Sequence, residues 1–407
     1  MKIVIAAASH ASNISGLQRH ALNVARCLLL ESEVTAVHLV IAPWQRKFVH
    51  GQYFAEDTRL QVHIAEMERG SLSRNLWYYR KLPALAARLK ADLVHLSYPM
   101  PLNSAAFSCP TMVTLHDMYP YEIPMNFGFP KFIFNRIVLQ QCLRNVEAIA
   151  AVSDTTLFRL RQNAPPSVWQ KATRIYNCVE PGPVCNVTSP IFSWKDRRFL
   201  LCVAQHRRNK NIPLLIRTFA NMLRSGQAAD DLKLVIVGIA GPETRMIHRL
   251  VSNLGVKANV DFLEGLSEAE LQWCYTRCDA VVCTSTTEGF GLPVAEALLA
   301  GSRVVCSDIP AFREVGDGHC RFVAVGNDDE RALAAEIASA LMEPKSPPRR
   351  LPQFSASVLA KQYITLYRKL IRSATPFAKA SVSTSMNVAH QKVSPYESLG
   401  GYEGSGG

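Results

Sequence analysis

The sequence has 407 residues, of which 48% are hydrophobic and 19% are charged. This length exceeds that of one ordinary domain, and the composition supports buried cores, which excludes a globally disordered chain. The 45 Lys and Arg residues outnumber the 33 Asp and Glu residues, giving a net charge of +12. That excess suits an anionic partner: nucleic acid, acidic lipid or a phosphate-bearing substrate. No run of five or six like charges occurs, so a nucleic-acid-binding arm is not expected.

The start of the chain and its cysteines favour a reduced, cytosolic protein. No apolar run reaches the roughly 18 residues of a membrane-spanning helix. The apolar stretch at 1–8 is too short for a secretion signal and is interpreted as a first strand. The 11 cysteines include no Cys-x-x-Cys pair. The spacing of Cys274, Cys278 and Cys283 is poor for zinc, so no metal is expected.

Short β-branched runs alternate with helical patterns along the chain, which predicts parallel sheets covered by helices on both faces. The first half has predicted strands at 2–7, 34–41, 92–96, 111–115 and 148–152, with helices at 16–30 and 131–147. After a Pro-Gly-Pro break, the second half has predicted strands at 199–204, 232–237, 260–263, 280–284 and 303–307. The sequence therefore predicts two Rossmann-like α/β domains.

The predicted domain boundaries follow from where this alternation stops. We expect a first domain at 1–185, a second at 186–355 and a further helix at 356–373. The tail at 374–407 is rich in Ser, Gly and Ala with few large apolar residues, so it is predicted to be disordered.

A basic segment at 69–90 surrounds Trp77, Tyr78 and Tyr79. It has two interpretations: a face that contacts acidic lipid headgroups, or a solvated helix whose aromatic side chains pack inward. Pro83 favours the second, because it interrupts a long amphipathic face.

The strongest motif spans Glu288–Glu296, between a predicted strand and a predicted helix. Gly289 and Gly291 let the backbone approach a ligand, and Pro293 suits a first helical turn. Free amides and the positive end of such a helix favour an anion such as phosphate. Glu288 is expected just outside the helix and Glu296 in its first turn, both facing the carboxyl edge of the sheet, where α/β folds bind ligands.

A second motif places three cations, Arg207, Arg208 and Lys210, between a strand and a helix. Such a turn would bind a diphosphate, with arginine as a fork-shaped donor and lysine as a point charge. A solvated basic turn is the alternative. The three cations lie on the same predicted sheet edge as the Glu-Gly loop, which favours a ligand-binding site over a solvated turn.

Two weaker candidates lie in the first domain. His116 ends a buried strand and is expected to point into the inter-domain cleft, although a lone histidine is as often structural. Gly16 lies in the first strand–helix loop, where turn geometry explains a glycine equally well. That loop lacks Gly-x-Gly-x-x-Gly, which argues against a nicotinamide cofactor. The absence of Asp-x-Asp, Walker A and His-Glu-x-x-His motifs leaves no obvious ligands for a metal-bound diphosphate.

Taken together, these motifs resemble the retaining family-4 glycosyltransferases (glycosyl transferases group 1) of the GT-B fold. The similarity lies in the seven residues between Glu288 and Glu296, the Arg/Lys-Asn turn and the His116-Asp117 strand end, and it covers roughly residues 1–373. It implies two Rossmann-like domains facing across a cleft. It also implies that the helix at 356–373 returns to the first domain.

The resemblance assigns expected roles. Lys210, with Arg207 or Arg208, would bind the donor diphosphate, while Glu296 would bind the ribose hydroxyls and Glu288 would face the transferred sugar. The expected catalytic residues are His116, Arg208, Lys210 and Glu288. The expected donor-binding residues are Gly16, Arg207, Arg208, Lys210, Glu288, Gly289, Phe290, Gly291, Leu292 and Glu296. Glu314 matches a further acidic position of the family, whose role stays open.

The resemblance implies transfer of a hexose from a nucleotide-sugar to a glycan or polyprenyl-linked oligosaccharide, with retention and without a metal or other cofactor. The stretch His116–Pro120 is similar to bacterial polysaccharide mannosyltransferases, so GDP-mannose is the first expected donor and UDP-hexoses the next. The expected location is the cytoplasm or the inner face of the cytoplasmic membrane. Alternatives are an epimerase or phosphorylase on the same fold, a nicotinamide oxidoreductase, and a binding protein without catalysis.

Overall fold

A computed structural model describes residues 1–11, 16–48, 57–180, 196–324, 330–345 and 347–383. The first domain contains a parallel sheet in the order β3-β2-β1-β4-β5-β6-β7. Its strands are β1 (Lys2–Ala6), β2 (Ala36–Ile41), β3 (Leu60–Ile64), β4 (Leu93–Leu96), β5 (Thr111–Leu115), β6 (Ala148–Ala151) and β7 (Ala172–Arg174).

The second domain contains another parallel sheet, in the order β10-β9-β8-β11-β12-β13. Its strands are β8 (Phe199–Val203), β9 (Lys233–Val237), β10 (Val260–Leu263), β11 (Ala280–Cys283), β12 (Val304–Ser307) and β13 (Arg321–Val323). The two-domain α/β fold predicted from the sequence is confirmed. The predicted junction at 185 and 186 lies outside the described residues.

Helices cover both faces of each sheet, with separate buried clusters on the two faces. Those of the first domain are α1 (Gly16–Leu29), α2 (Ser71–Leu76), α3 (Leu82–Arg88), α4 (Tyr119–Glu122), α5 (Lys131–Asn145), α6 (Asp154–Asn163) and α7 (Pro166–Trp169). Those of the second are α8 (Ile212–Arg224), α9 (Thr244–Asn253), α10 (Glu268–Arg277), α11 (Leu292–Leu299), α12 (Pro310–Gly316) and α13 (Glu330–Met342).

Three strands, β3, β7 and β13, were not predicted from the sequence. Each lies at an edge of its sheet, and none is continuously buried; β3, for example, has no buried side chain, and its Val62 and Ile64 are each 40% exposed. Central strands such as β6 and β11 are buried throughout and form continuous apolar runs. Edge strands lack that pattern because solvent reaches them.

The last helix, α14 (Ala356–Ser383), packs on the first domain. Its Leu359, Tyr363 and Tyr367 are buried in the same cluster as Leu22 and Leu28 of α1. The expected return of this helix is therefore confirmed. It extends to Ser383, past the predicted end at 373, so 374–383 is helical rather than disordered as predicted; residues 384–407 of the predicted tail lie outside the described residues.

The basic segment at 69–90 is helical from α2 to α3, with a π-helical turn at Trp77–Lys81 between them. Pro83 lies in the first turn of α3, directly after the π-helical turn. Trp77 and Tyr78 are buried, whereas Tyr79 is exposed. In the described part of the chain, no helix is both long and apolar enough to cross a bilayer.

Candidate active site

The Glu-Gly loop, residues 284–291 between β11 and α11, contacts the first domain directly. A Cβ atom added to Gly289 would lie 1.7 Å from the carbonyl oxygen of His116, so only glycine fits there. The carbonyl of Gly289 accepts a hydrogen bond of 3.0 Å from the Thr156 hydroxyl and another from the Ser153 hydroxyl. The predicted Gly-Phe-Gly loop and the His116 strand end are therefore brought together at the domain interface.

Glu288 and Lys210 form an ion pair at this interface. The Glu288 carboxylate also accepts hydrogen bonds from Ser285 Oγ (2.7 Å) and from the hydroxyl of Tyr119 (3.0 Å), a residue of the first domain. Only 10% of the Glu288 side chain and 18% of the Lys210 side chain are exposed. The two predicted catalytic groups are thus adjacent and screened from water, and Tyr119 joins them.

The position of Lys210 follows from a tight turn after β8. Arg208–Lys210 form one 3-10 turn, and Asn211 ends it in the left-handed conformation, with φ of 45°. The Thr284 hydroxyl donates to the carbonyl oxygens of Lys210 (2.9 Å) and Asn211 (3.1 Å). The basic turn is therefore hydrogen-bonded to the end of β11, next to the Glu-Gly loop.

Asp117 is a site residue to which sequence reasoning gave no role. Burial raises the pKa of its carboxyl to about 6, although the Tyr119 amide donates to it over 3.0 Å and Arg207 and Lys210 act in the opposite direction. Glu288 raises this pKa further through charge repulsion. The signal in the sequence was its place directly after His116 at the end of a buried strand.

The two arginines of the basic turn are not equivalent. Arg207 is partly buried, and its charge acts on Asp117 and Tyr119. Arg208, which was expected to be catalytic, is exposed. The structure therefore favours Arg207 over Arg208 as the arginine whose charge acts on groups in the cleft.

Glu296 belongs to a separate network. Its Oε1 accepts a hydrogen bond of 3.2 Å from Arg19 on α1, and its Oε2 accepts one of 2.7 Å from the Tyr275 hydroxyl. Burial raises the pKa of Glu296, while Arg19 and Tyr275 oppose that rise. Because α11 begins at Leu292, Glu296 lies in its second turn. The prediction that Glu296 lies in the first turn is therefore wrong.

His116 packs against another histidine. Its ring lies edge-on to that of His20, with centroids 4.7 Å apart, and its Nε2 lies 2.8 Å from the carbonyl oxygen of Ser97. Because a carbonyl can only accept, Nε2 carries the proton and Nδ1 is left as an acceptor. Burial lowers the pKa of His116 to about 4, so the ring is neutral at physiological pH.

The remaining predicted residues differ in what they can contribute. The Phe290 side chain is buried against Tyr176 and Phe354, so only its backbone can face a ligand. Gly291 has a φ of 109° and closes on Phe312, which explains the glycine. Gly16 begins α1, and an added Cβ would make ordinary contact with Leu292 at 3.9 Å, so no steric requirement for glycine is evident there.

Glu314 joins the two domains. From α12 of the second domain, its carboxylate accepts hydrogen bonds from the amides of Asp154 (2.6 Å) and Thr155 (3.0 Å) at the start of α6. The Thr155 hydroxyl donates to it as well. A carboxylate at a helix N-terminus satisfies free amides and complements the helix dipole, so Glu314 has a structural role at the interface.

Comparison with known proteins identifies the family. Residues 14–182 match the family model "Glycosyltransferase Family 4", and residues 189–352 match "Glycosyl transferases group 1". This protein is a glycosyltransferase of the GT-B fold. The two matched segments fall in the first and second domains of the glycosyltransferase, and the Glu288–Glu296 motif lies in the second.

Curated relatives of the glycosyltransferase include two mannosyltransferases. It is 27% identical to the O-antigen chain mannosyltransferase RfbU of Salmonella typhimurium over 55% of this chain and 59% of that protein. It is 22% identical to O-antigen chain mannosyltransferase B of Escherichia coli over 84% of this chain and 91% of that protein.

Solved structures show the same fold at low sequence identity. Anabaena Alr3699/HepE, in complex with UDP and glucose, aligns with a TM-score of 0.61 at 17% identity, over 94% of this chain and all of that one. WaaG, a glycosyltransferase involved in lipopolysaccharide biosynthesis, aligns with a TM-score of 0.63 at 18% identity, over 91% of this chain and 98% of that one.

Proposed function

We propose that this glycosyltransferase moves a hexose, with mannose the first candidate, from a nucleoside-diphosphate sugar to a glycan or polyprenyl-linked acceptor in bacterial surface polysaccharide biosynthesis. The observation that carries the proposal is the screened Lys210–Glu288 pair, closed by Tyr119 of the opposite domain. The two O-antigen mannosyltransferase relatives support mannose and this acceptor class.

In this proposal the donor lies along the cleft. Its diphosphate meets Lys210, Arg207 and the free amides at the start of α11, which together supply positive charge. Its ribose hydroxyls meet Glu296, and its sugar lies between Glu288 and His116. Nδ1 of His116 can accept a hydrogen bond from a hydroxyl group of the transferred sugar.

The proposed reaction proceeds with retention through a single, same-face displacement. The bond between the anomeric carbon and the phosphate oxygen breaks with its electron pair going to the phosphate, and the acceptor oxygen bonds to that carbon. The acceptor proton passes to the departing phosphate oxygen. Glu288 is a poor nucleophile because three donors already hold its carboxylate: Lys210, Ser285 and Tyr119.

No metal is assigned a step in this reaction. The developing charge is greatest on the departing diphosphate, and fixed cations such as Lys210 stabilise it without reorganisation. Among the described residues, no group of three or more His, Cys, Asp or Glu side chains is placed to hold a metal ion.

A nucleotide-release assay of the purified protein tests the proposal. GDP-mannose, UDP-glucose, UDP-galactose and UDP-N-acetylglucosamine are compared with and without bacterial lipid extract and with EDTA. We expect acceptor-dependent release from GDP-mannose that survives EDTA. Activity lost in EDTA would overturn metal independence, and conversion of the donor sugar without nucleotide release would favour the alternative, an epimerase.

We also propose that the enzyme works on the inner face of an anionic membrane, through the patch formed by residues 123–137. The patch contains two cations, Lys131 and Arg136, and no Asp or Glu. Met125, Phe129, Phe134 and Ile137 are 71%, 82%, 62% and 58% exposed. Apolar side chains beside cations suit lipid with acidic headgroups. The patch adjoins the site, because Asn126 donates to Asn209 over 3.0 Å.

Vesicle co-sedimentation tests this surface. We expect binding to vesicles containing phosphatidylglycerol and not to pure phosphatidylcholine, with F129S/F134S losing most of it. The matched control is M342S, because Met342 is 87% exposed on the second domain. Equal losses in the two variants, or binding that ignores lipid charge, would overturn the proposal.

A further inference from the structure

A continuous chain of side-chain hydrogen bonds crosses the first domain beneath the cleft. Tyr367 of α14 contacts His95 Nδ1 (2.7 Å), and His95 Nε2 contacts Thr114 Oγ1 (2.7 Å). Thr114 Oγ1 contacts His20 Nε2 (3.1 Å), and His20 Nδ1 contacts Asn177 Oδ1 (2.9 Å). All five side chains are buried. We call these five residues the histidine chain.

The direction of every hydrogen bond in the histidine chain is fixed by its two ends. The buried Tyr367 hydroxyl has a proton to donate, so His95 Nδ1 accepts it and His95 Nε2 carries the ring proton. Thr114 then accepts from His95 and donates its own proton to His20 Nε2. His20 must therefore be protonated on Nδ1, which donates to the amide oxygen of Asn177. With the Asn177 amide oxygen facing His20 Nδ1, this end agrees with the direction set by the Tyr367 proton.

Both imidazoles of the chain are neutral. Burial lowers the pKa of His95 to about 3 and that of His20 well below its usual value, and the neighbouring His116 lowers both further. The groups that face these rings are His116, Tyr363, Tyr367, Thr114 and Asn177. The hydrogen bonds of the histidine chain therefore hold the two rings in fixed orientations while both rings stay uncharged.

The end of the chain supports the cleft histidine. His20 is held through both of its ring nitrogens, and the ring of His116 rests edge-on against it at 4.7 Å. His116 is held on its other side by the Ser97 carbonyl. A rotated His20 ring would remove the surface on which His116 rests.

We propose that Tyr367, on the helix that returns from the second domain, is a positioning residue for the cleft histidine His116, acting through His95, Thr114 and His20. The inference rests on the proposed function, in which His116 contacts the donor sugar. Nothing in the sequence motifs pointed to Tyr367, because it lies 272 residues from His95. Through it, docking of α14 on the first domain would be linked to the geometry of the site.

Two variants test the chain, each with a matched control. Y367F removes only the donating hydroxyl, and Y363F is its control, because Tyr363 packs its ring 5.5 Å from that of His95 while its hydroxyl forms none of the four hydrogen bonds of the histidine chain. T114V breaks the middle of the chain, and T114S restores a hydroxyl there. We expect Y367F and T114V to lower kcat about tenfold with donor KM changed less than twofold, since misplacement by an ångström costs rate more than affinity. Y363F and T114S should stay near wild type.

Nitrogen-15 NMR of the histidine rings supplies a readout that does not depend on activity. In the wild type we expect His95 with its proton on Nε2 and His20 with its proton on Nδ1. The bare Nδ1 resonance of His95 should shift in Y367F and not in Y363F. The opposite tautomers, equal loss of kcat in Y367F and Y363F, or full kcat in H116A would overturn the proposal. Failure of the proposed function is recognised separately, as wild-type protein that releases nucleotide from no sugar in the panel.

Discussion

Arg19 of the first domain and Glu296 of the second are joined by a hydrogen bond of 3.2 Å across the cleft. Arg19 also lies 3.6 Å from Glu268, so one guanidinium links α1 with two helices of the second domain. The second oxygen of Glu296 accepts from the Tyr275 hydroxyl. A carboxylate held in this way points in one direction, which prepares it to receive paired hydroxyl groups such as those of a ribose.

Replacing Glu296 tests that role. We expect E296Q to raise the donor Kd or KM by roughly 10- to 100-fold, because hydrogen bonds to a charged acceptor contribute about 1.5–3 kcal/mol. The measurement is calorimetry or kinetics with the preferred donor. The control is E270Q, because Glu270 belongs to the capping box of α10 and accepts from Ser267. Unchanged donor affinity in E296Q would mean that Glu296 does not bind the ribose.

Lys210 is expected to act on rate more than on affinity. K210A should lower kcat by roughly 10²- to 10³-fold, because a fixed cation stabilises the charge that develops on the departing diphosphate. The fold should persist, since Ser285 and Tyr119 still hold Glu288. K233A is the control. Lys233, at the start of β9, pairs with Asp261 of β10 over 3.1 Å, away from the cleft. A loss of kcat under threefold in K210A would contradict the role.

The residues predicted for the site and those that the structure places around the cleft differ in a consistent way. Glu288, Glu296 and Lys210 were singled out in the sequence because each belongs to a local motif with a strand before it and a helix after it. Tyr119 and Arg19 were not, since their contacts with the two glutamates span 169 and 277 residues. Sequence spacing carries no record of such distances, which only domain packing creates.

The fold shows the same division between local and non-local information. The strands buried throughout, such as β6 and β11, were predicted close to their observed bounds because their burial is reflected in an apolar run. The limits of α14 were predicted less well: Pro376 is a residue type that usually ends or kinks a helix, yet α14 continues through it to Ser383. Arg207 and Arg208 are neighbours in the sequence, and only their different burial separates their roles.

Gly289 should be intolerant of a side chain. In G289A the new Cβ would overlap the His116 carbonyl oxygen, so the Glu-Gly loop must move away from the first domain. We expect activity to fall by more than about 100-fold, because an ångström of misplacement at a reacting centre costs rates of that order. G226A is the control: Gly226 has a φ of 73° and no atom within 4 Å of an added Cβ, so it reports backbone strain alone. Wild-type kcat in G289A would show that this contact does not position the loop.

The charged carboxylate of Asp117 should lower the free energy of unfolding at neutral pH, compared with a neutral side chain at that position. Its folded-state pKa, about 6, lies above the usual 3.8, so the folded state binds the proton more tightly than the unfolded state. Stability from this group is therefore present at low pH and is lost as the pH rises from about 4 to 6. Asn keeps the acceptor for the Tyr119 amide but carries no charge. We expect D117N to raise the free energy of unfolding by about 2–3 kcal/mol at pH 7.5, and to approach the wild type near pH 4.

Thermal or denaturant unfolding at several pH values measures this difference. The matched control is D308N, because Arg313 lowers the pKa of the exposed Asp308 and the sign is reversed: stability from that group is present at neutral pH and is lost as the pH falls. D308N should therefore be neutral or slightly destabilising at pH 7.5. A D117N variant that is less stable than the wild type at pH 7.5 would show that the charged carboxylate is compensated by Arg207 and Lys210. In that case Asp117 would hold the two cations in place for the diphosphate, and D117N should lose donor affinity as well as stability.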